Sequence, residues 1–212
     1  MTRTQPTFYY DLTSPYAYLA AERVNGLFAE AGAEQPEWQP VSIAFLHRAA
    51  GRVPWSLKPG KETGMREVER RAAERGLPPI RWPAFWLEEP GEDPAEAPVA
   101  RHYSLAAARL ATFAKQSGRT VAFTLAAFRQ AFAAGRDLSD IDNLLLAAAA
   151  CELHPNAVLK AIETASVKRA LQLATEEAIA RGVSGVPTIA VGERLFWGDD
   201  QLEEAAEAAV RG

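Results

Sequence analysis

Strand signals in this chain of 212 residues are confined to its two ends, and a long helical stretch keeps them apart. Thr7 to Asp11 is rich in aromatic, β-favouring residues and reads as a strand. Ser14 then stands as N-cap before Pro15, whose missing N–H costs nothing at a first helical position. Pro15 to Ala31 carries apolar residues at helical spacing and stops at Gly32, and Glu37 to Ile43 alternates as a second strand. The order β-α-β implies a parallel pair. At the far end, Pro187 to Val191 and Arg194 to Trp197 read as a hairpin turning at Gly192-Glu193, followed by a helix over Asp199 to Val210. An N-terminal βαβ and a C-terminal ββα make one four-stranded α/β sheet only if the block between them is an insertion. The expected organisation is a discontinuous domain, 1–45 with 183–212, and an all-helical insertion, 46–182.

Inside the insertion, Gly51 to Gly64 holds Pro54 and Pro59 and reads as a loop or lid. Lys61 to Arg75 is helical. Its stripe of Arg66, Arg70, Arg71 and Arg75 alternates with Glu67, Glu69 and Glu74, the pattern of a solvated face. The proline-rich stretch Pro78 to Pro98 is irregular. From His102 to Gly182 the spacing predicts four or five alanine-rich helices, broken at Gly118, Gly135 and His154-Pro155.

A formal net charge of −4 offers no basic face for nucleic acid. The longest apolar run, Leu144 to Cys151, is far short of the ~18 residues of a membrane span. Met1 to Pro6 lacks a charged-then-apolar targeting pattern. The single cysteine excludes an internal disulfide and fits a reducing compartment, so the cytoplasm is expected. Cys151 lies in an alanine-rich run and reads as a small buried apolar residue. No clustered Cys/His pattern suggests a metal, and neither a G-x-G-x-x-G nor a Walker loop is present. His47, His102 and His154 stand far from Ser14 in sequence, without a triad context. Ser14 is therefore read as a hydrogen-bond donor rather than a nucleophile. Trp38 and Trp197 read as core or strand residues. Trp55, Trp82 and Trp86 sit in proline-rich loops and, with Tyr16, are candidates for the wall of an aromatic substrate pocket.

Ser14-Pro15-Tyr16-Ala17 and Gly185-Val186-Pro187-Thr188 gain meaning together, joined by Phe8-Tyr9-Tyr10-Asp11, Gly135-Arg136-Asp137-Leu138-Ser139, Thr175-Glu176-Glu177-Ala178 and Leu195-Phe196-Trp197-Gly198-Asp199-Asp200. With these the whole chain resembles the DsbA-like, thioredoxin-fold branch containing 2-hydroxychromene-2-carboxylate isomerases and kappa-class glutathione transferases. In thioredoxin-type oxidoreductases the address of Ser14 and Ala17 carries a Cys-x-x-Cys pair, and a cis-proline opens the third strand. The resemblance implies glutathione, or another low-molecular-weight thiol, as cofactor. Ser14 would contact its sulfur, with Val186 and Pro187 against the cysteinyl unit. Asp199 and Asp200 would sit at the γ-glutamyl amino group, and Lys61 at the glycine end. It also implies a small aromatic carboxylate or electrophile as substrate and a possible homodimer. Three departures from the pattern bear on the second substrate: Arg52, Gly64 and the acidic stretch from Pro83 to Pro98. The expected activity is thiol-dependent isomerisation. A kappa-like glutathione transferase and a non-catalytic DsbA-like binding module are its rivals.

Overall fold

The computed structural model describes residues 5–88 and 104–211. β1 (Thr7–Tyr10) runs parallel to β2 (Glu37–Pro40), pairing Phe8 with Trp38 and Tyr10 with Pro40. On its other side β1 pairs antiparallel with β3 (Thr188–Val191), which forms a hairpin with β4 (Arg194–Trp197). The sheet order is β2-β1-β3-β4. Both ends of the chain thus build one sheet, and among the described residues between β2 and β3 there is no further strand. Pro40, unable to donate, stands on an edge strand where the loss is tolerated.

Helices cover both faces. α1 (Pro15–Ala21) and α2 (Val24–Glu30) follow β1, and α3 (Ile43–Ala49) follows β2. A 3-10 turn at Trp55–Leu57 leads into α4 (Lys61–Glu74), and the short α5 (Ala84–Leu87) closes the first described segment. The second opens with α6 (Leu105–Gln116) and α7 (Thr120–Phe128), the latter running into a π turn at Arg129–Ala133. α8 (Ile141–Ala149), α9 (Pro155–Glu163) and α10 (Ala165–Ala180) precede the hairpin, and α11 (Leu202–Arg211) ends the described chain. The alanine-rich stretch therefore holds five helices among the described residues. Three of their breaks fall at Gly118, Gly135 and His154-Pro155, while the fourth, at Thr164, is marked by neither glycine nor proline.

Local boundaries differ from expectation for tertiary reasons. The helix expected over Pro15 to Ala31 is interrupted at Glu22-Arg23, with neither glycine nor proline there. Glu22 is drawn to Arg129, its two oxygens 2.7 Å from Nε and Nη2, while Arg23 turns the other way to Glu203 and the Asp199 carbonyl. The Arg23 amide then bonds Ala20, tightening the turn. β2 stops three residues before Ile43, because the Ile43 amide bonds the Asp11 carboxylate and opens α3. The terminal helix starts at Leu202 rather than Asp199.

Alternation along β1 divides the core. Phe8 and Tyr10 face one side with Trp38, Phe28, Phe123, Phe128, Leu144 and Ile189; Tyr9 faces the other with Val41, Leu46, Ala178 and Ala190. Phe8 meets Trp38 edge-on at 4.9 Å, and the Tyr10 hydroxyl bonds Thr124 Oγ1 at 2.7 Å in the interior. The larger core runs unbroken from the sheet into α6, α7 and α8. Cys151 is buried at its margin, and burial pushes its thiol up.

Candidate active site

A pocket of about 310 Å³ opens where the C-terminal end of β1, the loop before β3 and the turn after β4 converge. Ser14, Tyr16, Val186 and Pro187 lie in its walls, joined by Trp55, Trp86, Asp199 and Asp200. Asp11 sets the entry to α1. Its buried carboxylate accepts from the Thr13 amide (2.9 Å), the Thr13 hydroxyl (2.8 Å) and the Ile43 amide (2.8 Å). Burial pushes the Asp11 carboxyl up, and these donors partly pull it back. One side chain therefore clamps the end of β1 to the start of α3.

Ser14 caps α1 as its position requires. Its Oγ accepts the Ala17 amide at 3.2 Å and donates to the Val186 carbonyl at 3.4 Å, with Pro15 at the first helical position. The Val186–Pro187 peptide is cis. The β1–β3 ladder ends at Tyr9–Thr188, so the Val186 backbone lies beyond it, at the pocket.

Two predicted residues lie elsewhere. Lys61 is buried on α4 and donates to the Glu88 carbonyl, away from the pocket lining. Trp82 is outside the lining too: its Nε1 bonds Glu69 at 2.7 Å while its ring rests on Trp86 and Phe132. Asp199 lines the pocket but is spoken for. Only 1% exposed, it takes Arg71 Nη1 at 2.7 Å on one oxygen and Arg75 on the other. Asp200 is 57% exposed and reaches Arg71 Nη1 only at 3.8 Å.

The arginine stripe on α4 is correspondingly split. Arg70 keeps to solvent, bridging Glu67 and Glu74, whereas Arg71 and Arg75 turn inward to Asp199. Hydrogen bonds from Arg70 and Arg71 hold the Glu67 carboxyl down to about 2. Burial opposes the charge on Arg71, but the Glu67 bond and the nearby Asp199 and Asp200 outweigh it and hold its pKa above the ordinary range. The Arg71 guanidinium stands 5.7 Å from the Tyr16 ring. Burial raises the Tyr16 phenol, which stays protonated at neutral pH.

Sequence reasoning missed Arg71, His47 and Trp197 as pocket residues. Helical spacing from Lys61 could have put Arg71 and Arg75 on one face, four residues apart, but not shown an acid across from them. His47 is brought in by α3; burial and the Arg52 charge lower its pKa, so the imidazole is neutral at pH 7. Trp197 belongs to β4 yet is half exposed, with the Arg52 guanidinium 4.7 Å above its ring. Two departures from the family pattern thereby acquire a structural partner. Arg52 covers Trp197, and Gly64 lies under the Trp55 ring, where a Cβ would stand 2.6 Å from it. The third, from Pro83 to Pro98, lies largely outside the described residues. Among the described residues there is no cluster of three or more His, Cys, Asp or Glu, and no helix long and apolar enough to cross a membrane.

Residues 7–209 match the family of the DSBA-like thioredoxin domain. A 2-hydroxychromene-2-carboxylate isomerase from Sphingobium xenophagum is 27% identical over 206 residues, 96% of each chain. A solved 2-hydroxychromene-2-carboxylate isomerase superposes with a TM-score of 0.81 at 22% identity, covering 98% of this chain and 95% of that one. The cytosolic disulfide reductase DsbM from Pseudomonas aeruginosa, solved with GSH, superposes at 0.63 with 14% identity, covering 98% and 96%. At such identities the superpositions speak for the fold, a mixed four-stranded sheet with a helical insertion. Because the family match takes in both halves of the sheet and the helices between them, this chain belongs to the DsbA-like thioredoxin-domain family.

Proposed function

We propose that the protein is a thiol-dependent isomerase acting on a small conjugated aromatic carboxylate, with glutathione or a similar low-molecular-weight thiol as cofactor. The observation that carries this reading is the composition of one pocket: a serine hydroxyl and the Val186 backbone beyond the end of the ladder on one side, Tyr16, Trp55 and Trp86 on another. The relative with 27% identity, a 2-hydroxychromene-2-carboxylate isomerase, supports it.

The residues present suit such a cofactor. At about 310 Å³ the pocket lies at the small end of ligand sites, about 300–1,000 Å³. Val186 offers main-chain groups to an extended peptide, and Asp200 an exposed carboxylate to an ammonium group. When bound, the thiol supplies a nucleophilic sulfur able to add to a conjugated double bond and leave again after rotation. A free thiol of pKa about 8.5 is only a few per cent ionised at pH 7, so each unit by which the site lowers it is about 1.4 kcal/mol of preference for thiolate. Ser14 is placed to supply part of that preference: its proton now meets the Val186 oxygen at 3.4 Å, a long bond that a nearby anion can take over. His47, neutral at pH 7, is a base in the same pocket. The aromatic rings orient the substrate and exclude water around it.

Dithiol–disulfide exchange is not the expected chemistry, since Ser14 and Ala17 hold no sulfur and Cys151 is buried away from the site. A reducing compartment such as the cytoplasm suits a free-thiol cofactor. Purified protein should convert a 2-hydroxychromene-2-carboxylate only when glutathione is added. Turnover at the same rate without any thiol, or none with it, would reject the reading.

A further inference from the structure

Ile43 and His47 stand four residues apart on α3 and so share one face of that helix; both line the pocket that holds Ser14 and Val186. The opposite face, with Phe45, Arg48 and Ala49, lines a separate cavity against Glu176 of α10. The clamp at Asp11 sets this orientation. Its carboxylate takes the Ile43 amide at 2.8 Å and the Thr13 amide at 2.9 Å, which ties the start of α3 to the residue before the Ser14 cap. At the far end of the helix the Arg52 amide donates to the His47 carbonyl at 2.8 Å. A half-buried imidazole is thereby fixed in the wall of the candidate thiol site.

The proposed chemistry leaves one proton without an acceptor. Ser14 can donate to a sulfur anion, but its oxygen already accepts from Ala17, and a hydroxyl is too weak a base to take a thiol's proton. Tyr16 is itself protonated, Arg71 carries a positive charge, and Asp199 has an arginine on each oxygen. Asp200 is a solvent-exposed carboxylate, by type a weaker base than imidazole. Burial and the Arg52 charge keep His47 neutral at pH 7, so its ring offers a lone pair.

We propose that His47 is the base of the reaction: it takes the S–H proton of the low-molecular-weight thiol as the sulfur attacks and gives it back as the sulfur leaves. While His47 holds the proton, the sulfur–carbon bond forms and the electron pair of the substrate's double bond moves into its conjugated carbonyl. After rotation the pair returns, the sulfur–carbon bond breaks and the imidazolium reprotonates the sulfur. Nothing is consumed. This deepens the proposed function, on which it rests, by assigning the proton that Ser14 cannot take.

Nuclear magnetic resonance titration of the histidine rings in the whole chain tests the assignment, the His47 signal being the one lost in His47→Gln. The ligands, each at saturation, are glutathione and its seryl analogue, in which a hydroxyl that does not ionise replaces the thiol. Glutathione should raise the pH midpoint of His47 by about 1 or more, because a thiolate beside the ring favours imidazolium, and the seryl analogue should leave it within about 0.3. In turnover of a 2-hydroxychromene-2-carboxylate, His47→Gln should be about 10- to 30-fold slower at pH 7, where a thiol of pKa about 8.5 is only a few per cent ionised. Most of that loss should be recovered by pH 9, where the thiol ionises to solvent; a merely structural role would give no such rescue. Equal midpoints with both ligands, no loss in His47→Gln, or a loss equal at every pH overturns the assignment, while glutathione-dependent turnover by wild type leaves the proposed function standing. Wild type without thiol-dependent turnover would remove both.

Discussion

At Ser14 a single oxygen takes part in the fold and faces the pocket. It satisfies the Ala17 amide, one of the donors a helix start leaves unpaired, and its own proton is only loosely engaged by Val186. Ser14→Ala removes both roles. Loss of the cap should cost about 1 kcal/mol in urea unfolding. The separate catalytic effect is an upward shift of the bound thiol's pKa, read from thiolate absorbance against pH; an unshifted titration would leave Ser14 only a cap. His47 makes a second prediction. Its native pKa lies below the ordinary 6.5, because burial and Arg52 disfavour the charged ring. Between that lowered value and 6.5 the unfolded chain binds more protons, so stability rises with pH across this window and falls as pH drops through it. His47→Gln should flatten that slope, and an unchanged slope would assign it to other groups. The cap at Ser14 was legible from Ser-Pro, and its place at the site only from that motif together with Gly185-Val186-Pro187-Thr188. His47 was not, because its place in the pocket depends on α3 beginning where Asp11 bonds Ile43.

Two tryptophans of the pocket owe their placement to glycines on neighbouring elements. Trp55 lies against Gly64 of α4, and Trp197 of β4 against Gly185, where a Cβ would be 2.8 Å from its Nε1. Trp55 in turn touches Tyr16 and Trp86 at 6.0 and 5.1 Å, so a shift of one ring is felt along the aromatic wall. Gly64→Ala should push Trp55 into the pocket, lowering substrate affinity while costing about 1–3 kcal/mol, as overpacking does. Tryptophan fluorescence titration with an aromatic carboxylate reads the loss; unchanged affinity would mean that Trp55 does not shape the site. At this scale the strand order and most of the helices followed from periodicity, and the hairpin from Gly192-Glu193, but α3 and the short α5 did not. What periodicity could not supply was the break at Glu22-Arg23, made by ion pairs to Arg129 and Glu203 more than a hundred residues away. The inward turn of Arg71 and Arg75 escaped it for the same reason: interleaved glutamates describe a solvated face unless a buried acid, here Asp199, waits opposite.

Over the whole molecule, the helical insertion and the sheet share one core. Phe128 of α7 packs on Tyr10 of β1 at 6.2 Å and on Tyr18 of α1 at 6.0 Å, and Thr124 takes the Tyr10 hydroxyl inside. We therefore expect the discontinuous sheet domain and the insertion to unfold as one cooperative unit. Urea curves from tryptophan fluorescence and far-ultraviolet circular dichroism should coincide. Two separated transitions would show that segment 46–182 holds together without the sheet. The pocket follows from this arrangement, since the insertion's Trp55, Arg71 and Trp86 wall a cavity whose floor is built by the two ends of the chain. A crystal structure with glutathione tests the central claim most directly. The account predicts the sulfur within hydrogen-bonding reach of Ser14 Oγ, the cysteinyl backbone against Val186, and the γ-glutamyl ammonium at Asp200. A glutathione bound with its sulfur turned away from Ser14, or bound outside this pocket, would contradict it.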